Sequence, residues 1–249
     1  MRIWVLSRRR LVLLITALLL LAVILLVPLA LTIVEDRAVL ARSLRGVVIV
    51  VDPGHGGRDP GAVGHSGVLE KDIVLPVGLE LASFLRQAGA TVVMTREDDI
   101  ELTDANGNPP PKGQKKRTDL QRRVEIISEN GADLLVSIHV NAISSSRWRG
   151  AQTFYYPDGN PDSARLATDI QSSLKRRLGN TQRGIEGIDR QYLLKNVAPP
   201  AVTVEIGFIS NPEELSLLQS QAYQRRVAWS IFAGIAKFLM HSPQAAIGP

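Results

Sequence analysis

Apolar positions divide the 249-residue chain into two unlike pieces. Leu11 to Val34 is a run of 24 residues without a charge, about 36 Å long as a helix, against a hydrocarbon core of about 30 Å. Beyond Gly46 the pattern changes to short β-branched runs separated by longer periodic stretches. Val47–Val51, bounded by Gly46 and Asp52-Pro53-Gly54, reads as a strand buried on both faces. Similar runs follow at Thr91–Thr95, Leu134–Ile138, Thr153–Tyr156 and Val202–Ile206. Between them, Asp72–Gln87, Asp119–Glu129, Pro161–Leu178 and Ala222–Met240 carry helical spacing. This alternation predicts a single α/β layered domain with a mostly parallel mixed sheet flanked by helices. Pro76 and Gly78 are expected to kink the first helix or delay its start. Glu97–Arg117, with Asn106-Gly107, three consecutive prolines and Lys115-Lys116-Arg117, reads as a long polar surface loop.

The division becomes a domain plan. Residues 1–10 form a basic N-terminus, 11–34 a transmembrane helix, 35–45 a linker, 46–240 the folded domain and 241–249 a tail. Arg8, Arg9 and Arg10 precede the span, and the positive-inside rule keeps that end in the cytoplasm. The domain is then extracytoplasmic, held to the cell membrane by a single pass. A cleaved signal peptide is the competing reading, but its apolar core runs only about 7–15 residues. Charge supports the same split. Seven of the 29 basic and two of the 24 acidic residues fall in 1–45, leaving 22 of each in the body. Excess positive charge therefore sits beside the span, and nucleic acid is not expected as a partner. Cysteine is absent, so a metal would need His, Asp or Glu.

In an open α/β sheet, ligands bind outside the carboxyl ends of the strands. His55 follows the first strand, His139 ends the strand in Ser137-Ile138-His139-Val140-Asn141-Ala142, and Glu205 ends the last in Val204-Glu205-Ile206-Gly207-Phe208. Glu70 lies just before the first helix in Leu69-Glu70-Lys71-Asp72. Two imidazoles and a carboxylate are the His₂Glu set of a catalytic zinc, with a second carboxylate as base. Each residue also has a plainer reading: His55 a turn residue, His139 a core-edge histidine, Glu70 a helix N-terminal acid, Glu205 half of an ion pair. Their shared placement at strand ends favours the joint reading, since an isolated carboxylate in Glu205's apolar setting is costly to bury. No Lys-Ser or Lys-Thr follows Gly54–Gly57, and no Gly-x-Ser-x-Gly occurs, so phosphate-loop and serine-hydrolase readings fail. His65 and His241 read as solvated surface residues.

Taken together, Asp52-Pro53-Gly54-His55-Gly56-Gly57, Glu70-Lys71-Asp72, Thr95-Arg96, Ser137-Ile138-His139-Val140-Asn141-Ala142 and Glu205-Ile206-Gly207-Phe208-Ile209-Ser210-Asn211 resemble the zinc-dependent N-acetylmuramoyl-L-alanine amidases of amidase type 3. The likeness covers residues 46 to about 240. It implies that His55, Glu70 and His139 bind Zn²⁺ and that Glu205 is the catalytic carboxylate. It also implies hydrolysis of the amide between N-acetylmuramic acid and L-alanine in peptidoglycan. Trp148–Tyr156 and Tyr192–Val197 are similar to the germination-specific members of endospore formers, which prepare spore cortex for muramic δ-lactam formation. Some of those act with a partner lipoprotein, though no partner-binding segment is legible in the sequence. Septal cell separation, a catalytically silent wall-binding scaffold and a zinc peptidase cutting the stem peptide are the alternatives.

Overall fold

The computed structural model describes residues 8–10, 13–24, 44–65, 67–102 and 115–241, and the side chain of Lys115 is not among them. The chain forms two compact units, Met1–Arg42 and Ser43–Pro249. In the first, residues 13–24 are helical (α1) and expose Leu13, Leu18 and Ile24. Among the described residues no helix is long and apolar enough to cross a membrane. The span expected at 11–34 reaches past α1 at both ends, over residues 11–12 and 25–34, which lie outside the described residues.

The second unit is built on strands β1 (Val48–Pro53), β2 (Thr91–Met94), β3 (Leu134–Asn141), β4 (Gln152–Tyr155), β5 (Glu186–Gly187) and β6 (Ala201–Phe208). Their order in the sheet is β2-β1-β3-β6-β4-β5. β2, β1, β3 and β6 run parallel, and β4 is antiparallel to β6. Helices α2 (Glu70–Gln87), α3 (Lys115–Glu129), α4 (Ser163–Leu178), α5 (Tyr192–Lys195), α6 (Pro212–Leu218) and α7 (Gln221–Met240) complete the domain. α7 packs on both α2 and α4, and α3 meets α5. Val50 and Leu135 join Ile127, Leu193 and Leu194 on the α3–α5 side. By pleat alternation, Ile49 and Val51, both fully buried, turn to the other face. This two-sided burial is why the strands read as continuous apolar runs.

Two expectations need correction. α2 starts at Glu70, ahead of the predicted Asp72, and contains Pro76 without interruption. Burial of Ile73, Val74, Val77, Leu81 and Leu85, each worth roughly 1.5–3 kcal/mol, outweighs the roughly 3 kcal/mol cost of an interior proline. Gly78 lets the helix approach β1, since a Cβ there would stand 2.6 Å from Pro53 Cγ. Second, Lys115, Lys116 and Arg117 open α3 rather than ending a loop, while residues 103–114 lie outside the described residues. β5, α5 and α6 are too short to leave a period in the sequence. Leu44, at the end of the expected linker, is buried, and its N–H donates to Ala88 O at 2.6 Å.

Candidate metal centre

The parallel strands β1, β3 and β6 end together, and their register sets the site. Pro53 pairs with Ile138, and His139 pairs with Glu205. His55 follows β1 in the left-handed region at φ 59°, a conformation worth about 1–3 kcal/mol of strain for a non-glycine residue. Two buried arginines hold that turn. Arg96 donates to Pro53 O (3.0 Å) and Gly54 O (2.8 Å), and Arg123 donates to Pro53 O (3.1 Å) and His55 O (2.7 Å). Arg123 is in turn paired with Asp52, which accepts from Thr95 Oγ1 (2.7 Å) and Ser137 Oγ (2.6 Å).

Around this frame His55, Glu70 and His139 converge, with one candidate ligand atom from each lying within 4.8 Å of the others. His55 Nε2 stands 3.2 Å from Glu70 Oε2, and His139 Nδ1 stands 2.9 Å from Glu70 Oε1. The remaining donors to Glu70 are backbone: Ala62 N–H to Oε2 (2.8 Å) and Val140 N–H to Oε1 (2.9 Å). The other nitrogen of His55, Nδ1, lies 2.9 Å from Asp59 Oδ2, and Asp59 Oδ1 accepts from Gly61 N–H at 3.1 Å. Such a partner fixes ring orientation and leaves Nε2 available to a metal. Space is equally restricted. A Cβ at Gly54 would overlap the His139 ring, and one at Gly61 (φ 67°) would lie 2.6 Å from Glu70 Oε2. Two imidazoles and a carboxylate at this spacing fit a zinc ion, which takes nitrogen and oxygen ligands in a small tetrahedral shell.

The profile of the N-acetylmuramoyl-L-alanine amidase family matches residues 49–237. The chain belongs to this family. The amidase is 44% identical over 200 residues to the germination-specific N-acetylmuramoyl-L-alanine amidase of Bacillus subtilis, across 78% of this chain and 81% of that one. It is similar to the CwlD amidase from Clostridioides difficile, solved in complex with the GerS lipoprotein, with a TM-score of 0.75 and 41% identity over 79% of this chain and 100% of that one. The catalytic domain of CwlV from Bacillus (Paenibacillus) polymyxa gives a TM-score of 0.67 at 32% identity, over 79% of this chain and 99% of that one.

Electrostatics separate the two carboxylates of the amidase. Burial would raise Glu70, but hydrogen bonds and charge from His139 and His55 hold it well below the usual range. Glu205 goes the other way. Burial lifts it to about 7, with His139 and His55 opposing and Glu70 reinforcing the rise. Its Oε2 is enclosed and, among the described residues, has no hydrogen-bond partner. One carboxylate is thus fixed as an anion among imidazoles, while the other is poised to gain or lose a proton near neutrality. His65 is exposed, and the exposed His241 lies with Nδ1 2.9 Å from Lys237 O; neither enters the site. Sequence reading missed Asp59, Asp52 and Arg123 as supports. Arg123 sits on a helix rich in charge, where its sequence context is that of a solvated face. Only the tertiary fold buries it.

Proposed function

We propose that the chain is a zinc-dependent peptidoglycan amidase in which His55, Glu70 and His139 hold one Zn²⁺ and Glu205 is the general base and acid. The supporting observation is the pairing of a compact His-Glu-His trio with an enclosed Glu205 oxygen, unpartnered among the described residues, on the strand position that pairs with His139. A bound zinc ion supplies a Lewis acid and lowers the pKa of its water to about 7. Glu205 takes a proton from the attacking water and passes it to the departing amine of L-alanine, freeing the lactyl carboxylate. Asp59 keeps His55 aligned, and Arg96 and Arg123 hold the strained turn that presents it.

Similarity to the germination-specific relative of Bacillus subtilis and to CwlD supports a role in spore-cortex maturation, leading to muramic δ-lactam, over septal separation. By the same similarity a lipoprotein is the partner to test, the relative having been solved with one. Leu11–Val34 would anchor the enzyme in the cell membrane with its domain outside. Mass spectrometry of purified peptidoglycan digested by the zinc-loaded protein tests the reaction. Release of intact stem peptides starting with L-alanine, abolished by a chelator, is expected. Cuts inside the stem would make it a peptidase, and no cuts a scaffold.

A further inference from the structure

α3 brings Arg123, paired with Asp119 one turn earlier, to the turn after β1, where it donates to His55 O. Lys116, Arg117 and Leu120 of α3 face Tyr192 of α5 across a groove of about 490 Å³. Lys116 and Arg117 are exposed and, among the described residues, make no hydrogen bond or ion pair. The nearest acid on their own helix is already committed. Asp119 accepts from Arg123 Nε (2.7 Å) and from Leu102 N–H (3.1 Å). Asp119 ties this end of α3 to Arg123, whose Nη2 donates to His55 O at 2.7 Å. On the other wall, Tyr192 follows Gln191, which accepts from Thr203 Oγ1 at 2.6 Å, and Thr203 lies two residues before Glu205 on the same face of β6, so the groove adjoins the candidate metal centre.

Two exposed cations beside an aromatic ring and a leucine make a site for an anionic, partly apolar chain. Peptidoglycan offers such a group on one side of the scissile amide only. The N-acetylated glycan strand is uncharged, whereas the stem peptide beyond L-alanine carries free carboxylates. We propose that the Lys116–Arg117–Leu120–Tyr192 groove is a stem-peptide subsite, with the two cations binding a carboxylate of the stem and Leu120 and Tyr192 packing on its aliphatic parts. The proposal rests on the peptidoglycan-amidase reading and adds to it which side of the substrate lies over α3. Since the body of the chain has equal numbers of acidic and basic residues, selectivity of this kind must come from a local pair rather than from net charge.

The test compares two soluble muropeptides that differ only in whether the glutamyl carboxylate is free or amidated. The full zinc-loaded chain is used, beside Lys116→Ala, Arg117→Ala and the double variant. Wild type should prefer the free acid by about tenfold in kcat/KM through KM, as loss of a charge-assisted hydrogen bond implies. The double variant should bring that preference close to one, and Arg117→Lys should restore part of it. Calorimetric titration with the free stem peptide, which needs no chemistry, should show the same weakening. If turnover is intact and the preference is equal in wild type and variants, the subsite is overturned. If no protein turns over, the amidase reading fails instead, and peptide binding unchanged in the double variant then overturns the subsite by itself.

Discussion

Glu205→Gln preserves size but removes the group proposed to accept and return a proton. It should retain stoichiometric zinc and lose about 10²–10⁴-fold in kcat, checked by elemental analysis beside a turnover assay. His55→Ala, Glu70→Ala and His139→Ala should instead lose the metal. Gly61→Ala separates support from ligation. Its Cβ would press on Glu70 Oε2 at 2.6 Å from a backbone at φ 67°, so a loss of about 1–3 kcal/mol in stability should accompany weaker zinc binding, read by denaturant unfolding and competition with a chromophoric chelator. The three polar residues at strand ends, His55, His139 and Glu205, were legible because the sheet geometry makes that place special. Which carboxylate stands among the histidines came from the family resemblance and not from spacing, because Glu70 reaches them only through the fold of α2 onto β1. Asp59 was illegible for a related reason: its role depends on which imidazole nitrogen it meets, and spacing does not encode that.

At the scale of elements, the turn after β1 depends on α3. Arg123 joins Asp52, Pro53 O, His55 O and Asp119 in a buried network, so Arg123→Leu should destabilise the domain by about 3–5 kcal/mol by stranding the Asp52 charge. The same pair sets an acid limit. Burial alone would raise Asp52, but Arg123, Ser137 and Thr95 hold it at about 2, below its ordinary 3.8. A carboxyl depressed in the folded state contributes stability above its unfolded pKa and loses it as pH falls. Wild type should therefore lose this contribution between about pH 4 and pH 2, while Asp52→Asn lacks that component of the acid transition; circular dichroism across this range distinguishes them. The long strands and helices were legible from β-branched runs and helical spacing. α2 was read two residues short because local proline chemistry argued for a later start, whereas packing against β1 decided the matter.

At the scale of the whole molecule, a chain beginning near Arg42 should be soluble, fold and bind zinc, since Leu44 is the first described residue packed into the domain. Native protein recovered from membranes with an N-terminus beyond Ala30 would instead mean cleavage. Deleting the gene should give spores whose cortex lacks muramic δ-lactam; normal lactam with chained vegetative cells would point to the septal role. The strand order carries a further consequence, for biosynthesis. β6 is the last strand among the described residues, yet it lies inside the sheet between β3 and β4. Until residues 201–208 emerge, β3 has an open edge, β4 lacks its long partner and Glu205 does not exist. The sheet closes by insertion, a non-local step that makes folding slow and leaves unpaired edges exposed in the meantime. A nascent or prematurely terminated chain that stops before β6 is then prone to aggregate and lacks the carboxylate proposed to move the proton, so truncation before residue 208 should leave no wall hydrolysis.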